Sequence, residues 1–125
     1  MTTTVTSLAP AHKIIEVLHS GDVTAADIRG AEKQIVELVD STGFTRLLGN
    51  YVNATDLPGA IDTVTLIESA ISALGGRPGG RHALLWPKDG QARIELDVAR
   101  MAEKNRGVNI HIFGDRDAAI AWLDS

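Results

Sequence analysis

The chain has 125 residues, 44% of them hydrophobic and 22% charged, the composition of one globular domain with its own core. It has no cysteine, which excludes disulfide frameworks and thiolate metal sites, and its net charge of -4 argues against nucleic-acid binding. No apolar run reaches the roughly 18–20 residues of a membrane span, and MTTTVTSLAPAHK has no secretory-signal pattern, so the expected location is cytoplasmic.

Residues 3–8 alternate β-branched Thr and Val before Pro10 and predict a short edge strand or extended arm. KIIEVLHSG (13–21) predicts a second strand through Ile14, Ile15, Val17 and Leu18, punctuated by Gly21 and Asp22. Thr24 with Asp27 has the spacing of a capping box. Ile28, Ala31, Ile35, Leu38 and Val39 then recur at helical spacing, and Gly43 is placed to close the helix in a left-handed conformation. FTRLLGNYVNA (44–54) predicts the next strand, and TDLPG a turn. The helix that follows carries Ile61, Val64, Ile67, Ile71 and Leu74 and stops at Gly75-Gly76; Thr65 with Glu68, Asp62 or Thr63 is the expected cap.

RHALLW (81–86) predicts a compact apolar strand closed by Pro87. Asp89 is the expected cap of a helix over 91–105, with Ile94, Val98, Met101 and Ala102 inward and Asn105 to Gly107 ending it. VNIHIF (108–113) predicts a strand, and Asp115 caps a final helix packed by Ala119, Ile120 and Leu123, with Trp122 also expected on the sheet or at a dimer contact. Four βα units after an N-terminal strand predict a single α/β domain over 1–125, its mostly parallel sheet covered by helices.

Candidate chemistry is sparse. GGRPGG (75–80) follows a helix and precedes a strand, the reverse of a phosphate loop, and lacks the Lys-Ser/Thr pair. His12 and His19 are expected to flank the first main strand, while His82 and His111 lie within later ones; none has the i, i+4 spacing of a zinc pair. His111 alternates with Ile110 and Ile112 and so points to the opposite face. Ser20 beside His19 faces the other way along a strand, and there is no G-x-S-x-G elbow. The pairs Glu95/Asp97 and Asp115/Asp117 read as favourable charges in first helical turns. No catalytic residue, cofactor or metal ligand is therefore assigned.

The polar stretch NATDLPGAIDT (53–63) lies between a strand and a helix, where open α/β sheets place ligands and partners. Asn53, Thr55, Asp56, Asp62 and Thr63 are the candidate partner or ligand residues. The same stretch also reads as a plain turn over 56–59 with capping Thr and Asp residues.

The βα order, GDVTAADI (21–28) at the first helix and ARMAEKNRGVNIHIFGDRDAAIAWL (99–123) at the end together resemble the SpoIIAA-like family of the STAS (anti-sigma-factor antagonist) superfamily. The resemblance implies a bacterial, non-enzymatic regulatory or protein-interaction module that forms homodimers or binds a protein partner; the alternative it implies is a carrier or sensor of a small apolar ligand bound between sheet and helices. It also implies a phosphorylatable Ser or Thr at a helix start, for which Asp62-Thr63 is the matching place. The family's following glycine is absent there, and Pro58-Gly59 alters the loop.

Overall fold

Short β-branched and aliphatic runs, each stopped by Gly, Pro or a capping residue, set the elements. The computed structural model describes residues 2–55, 60–101 and 107–125. Within them the strands are β1 (Thr2–Ser7), β2 (Ile15–Asp22), β3 (Arg46–Thr55), β4 (Arg81–Leu85) and β5 (Asn109–Phe113). The helices are α1 (Ala25–Thr42), α2 (Ala60–Leu74), α3 (Gln91–Arg100) and α4 (Arg116–Asp124).

The sheet runs β1-β2-β3-β4-β5, in chain order. β1 is antiparallel to β2, and every later pair is parallel. The α/β fold with an N-terminal edge strand is thus as expected. Strand alternation divides the core between two faces. Ile15, Val17, Leu47 and Leu84 meet Ala31, Ile35, Val39, Ile67, Leu74 and Ile94 of α1, α2 and α3 on one face. Ile14, Leu48, Ala83 and Leu85 meet Ala119 and Leu123 of α4 on the other.

The caps show where local chemistry decides a boundary. Thr24 Oγ1 accepts from the Asp27 amide (3.2 Å), and Asp27 Oδ2 accepts from the Thr24 amide (2.8 Å), so the expected capping box forms. Gly43 closes α1 at φ 75, and Asp115 accepts from the Ala118 amide at 3.3 Å. Two other expectations fail. Gly90, not Asp89, is the N-cap of α3, at φ 94 and without a side-chain hydrogen bond. α2 begins at Ala60, so Asp62, Thr63 and Thr65 lie inside the helix rather than before it. Ala102 to Asn105, expected in α3, lie outside the described residues, as does Arg106.

Candidate functional site

Because β2 to β5 are parallel, their C-terminal ends share one rim, and the N-termini of α1 to α4 share it too. The rim is uneven. β4 pairs with β3 only as far as Leu85 opposite Asn50, so Tyr51–Thr55 continues past it with β2 as partner. The register steps there: Leu18 pairs with Asn50 but Ser20 with Asn53, which puts one extra residue into β3. Val52 is 48% exposed and Asn53 is exposed as well, so the projecting end presents both outward.

The sequence candidates fall around this projection. Asn53 lies on it, Thr55 ends β3, and Asp62 and Thr63 lie in the first turn of α2. Asp56 and the turn 56–59 lie outside the described residues, as do the side chains of Thr55, Asp62 and Thr63.

A buried network missed by sequence reasoning supports the bulge. Glu16 of β2 is 8% exposed and accepts from Arg116 Nη2 (2.7 Å) and Nε (3.3 Å) and from Asn50 Nδ2 (3.1 Å). Asn50 Oδ1 in turn accepts from the Val52 amide at 3.2 Å, satisfying a donor within the bulge. Burial pushes the Glu16 carboxyl up, but hydrogen bonds from Arg116 and Asn50 and the Arg116 charge more than offset it, and the net shift is downward. The same pairing holds the Arg116 guanidinium above its ordinary value. A charged Glu16 therefore ties β2, β3 and the start of α4 together and, through Asn50, is linked to the Val52 amide of the bulge. The signal was a lone carboxylate in a strand of Ile, Val and Leu.

The face of the same strands that α1 and α2 cover carries a run of aromatic side chains. His19 lies inside β2, not at its flank, and is 1% exposed. Its Nδ1 is 3.0 Å from Thr3 Oγ1, and its ring stacks on Tyr51 at 4.7 Å; Tyr51 meets Trp86 at 5.1 Å. Burial lowers the His19 pKa, with the Asp27 charge opposing it, and raises that of Tyr51. His82 is 3% exposed, and burial pushes its pKa down to about 3. His111 does face away from Ile110 and Ile112, as expected: it stacks on Trp122 at 4.6 Å.

The cavity between the sheet and α1/α2 has a volume of about 20 Å³. That is room for about one water, which needs at least ~10–15 Å³, and gives no support to an apolar ligand there. At the opposite end of the strands an open cleft of about 400 Å³ is lined by His12, Lys13, Arg46 and Asp124, with His12 Nδ1 2.7 Å from Asp124 Oδ2. Asp97, expected among first-turn charges, is the seventh residue of α3; it is 7% exposed on the side of Ile94 and Met101, and its Oδ2 has no hydrogen-bond partner among the described residues. Among the described residues no group of three or more His, Asp or Glu is placed to hold a metal, and no helix is long and apolar enough to cross a membrane.

Comparison with known proteins gives a fold. A solved structure of the anti-sigma factor antagonist SpoIIAA in its unphosphorylated form superposes with a TM-score of 0.64. The match covers 98% of this chain and 97% of that one at 14% sequence identity. The chain thus has the SpoIIAA-type STAS fold. No family model matches the sequence, and no curated protein does.

Proposed function

We propose that this chain is a non-catalytic regulatory module of the cytoplasm that binds a protein partner through the 53–63 segment and the start of α2. The observation that carries the reading is the projecting end of β3, where Val52 and Asn53 are presented outward at the strand rim and lead towards Asp62 and Thr63. The SpoIIAA fold adds to it, since that neighbour is an anti-sigma factor antagonist with an unphosphorylated form. Thr63 in the first turn of α2 is the proposed phosphorylation position. A phosphate there meets the positive end of the helix dipole and changes the charge of the binding surface at one stroke.

The experiment is capture of partners by the wild-type chain, Asp56→Ala and Thr63→Glu in parallel. Partners held by the wild type should drop at least tenfold with Thr63→Glu and weaken with Asp56→Ala. Equal recovery of every partner by all three chains contradicts the proposal. Sedimentation of the same samples reads whether a second copy of this chain is among the partners.

A further inference from the structure

His82 is the second residue of β4, and the central strand makes room for it: a Cβ on Gly49 would lie 3.0 Å from His82 Nε2 and 3.1 Å from the Tyr51 ring. The imidazole lines the cavity between the sheet and α1/α2, and its Nδ1 is buried without a hydrogen-bond partner among the described residues. A neutral imidazole has one donor and one acceptor nitrogen, so whichever role Nδ1 takes, one partner is owed to it. His19, Tyr51 and Ser69 also line the cavity, and Ser69 is buried in α2. These groups surround about 20 Å³, above the ~10–15 Å³ one water requires and too little for a larger polar ligand.

We infer that this cavity is a binding site for a single internal water, held by His82 Nδ1 and shared with the polar side chains of Ser69, Tyr51 and His19. A water is matched to the site because it can donate to or accept from Nδ1, whichever tautomer is present, and still bond the hydroxyls around it. Bridging in this way links β4 to α2 across a space that no direct hydrogen bond to His82 Nδ1 spans among the described residues.

The test is a crystal structure of the wild-type chain at about 1.5 Å, where a hydrogen-bonded water gives a density peak within about 2.7–3.2 Å of His82 Nδ1. Magnetic relaxation dispersion of water oxygen-17 supplies an independent count in solution, with one long-lived water expected in the wild type and lost in His82→Leu. A dry cavity, or a direct bond from Nδ1 to a protein atom such as Ser69 Oγ, overturns the inference. So does an unchanged water count in a folded His82→Leu chain. The crystal experiment needs no variant and decides the matter if His82→Leu does not fold.

Discussion

His82 is the residue on which the stability of this chain should depend most visibly through pH. In the unfolded chain its pKa is near 6.5, and in the fold it is held to about 3. Between those values the unfolded chain takes up a proton that the native imidazole refuses, so stability is full above pH 6.5 and is lost as pH falls towards 3. The slope from one such group reaches at most about 1.4 kcal/mol per pH unit. His19, shifted the same way, adds to it. Urea midpoints measured from pH 7 to 5 avoid most carboxylate titration; they should fall in the wild type and fall less steeply in His82→Leu. Glu16 contributes with the sign of a depressed carboxyl: its stabilisation is present above its unfolded value of 4.5 and is lost at lower pH. Arg116→Met strands a buried charge, and a loss of about 1–3 kcal/mol is expected because half the ion pair reaches solvent. Replacing both partners, Glu16→Leu with Arg116→Met, should recover much of it. A double-mutant cycle in urea checks the coupling, and strict additivity would contradict the network. Gly49→Ala is expected to cost about 1–3 kcal/mol through crowding of two packed rings.

At the scale of elements, the helix ends separate what local sequence can say from what it cannot. Thr24 with Asp27, Gly43 and Asp115 act through their own near neighbours, and each was legible from spacing. The start of α3 was not, because Gly90 enters the helix from a left-handed conformation while Asp89 remains exposed and makes no cap. The contrast predicts a loss of about 1 kcal/mol for Thr24→Ala and a change within about 0.5 kcal/mol for Asp89→Ala, both read from thermal or urea unfolding. The strands follow the same logic. Alternation in VNIHIF told that His111 opposes Ile110 and Ile112, since pleating is a local rule. The extra residue in β3 was invisible, because it exists only in the pairing with β2. Asn50 was likewise hidden; its two bonds, to Glu16 and to the Val52 amide, join positions 34 residues apart in one case and two in the other.

At the scale of the molecule, the order of βα units implied a parallel sheet but not the distribution of helices. Among the described residues, α1 to α3 line one face and α4 alone returns across the other, leaving Thr4 and Thr6 of β1 exposed at the edge. The candidate site was legible as a place, the polar segment after the third strand, for the general reason that parallel strands end together. What makes it project, the overhang of β3 and the Glu16–Asn50–Arg116 network linked to it, required the fold. Hydrogen–deuterium exchange of this chain, free and bound to a partner recovered as above, tests the central claim most directly. The account predicts that protection on binding concentrates at residues 50–66. Protection confined to the cleft of His12, Lys13 and Arg46 at the other end of the strands, with 50–66 unchanged, would contradict it.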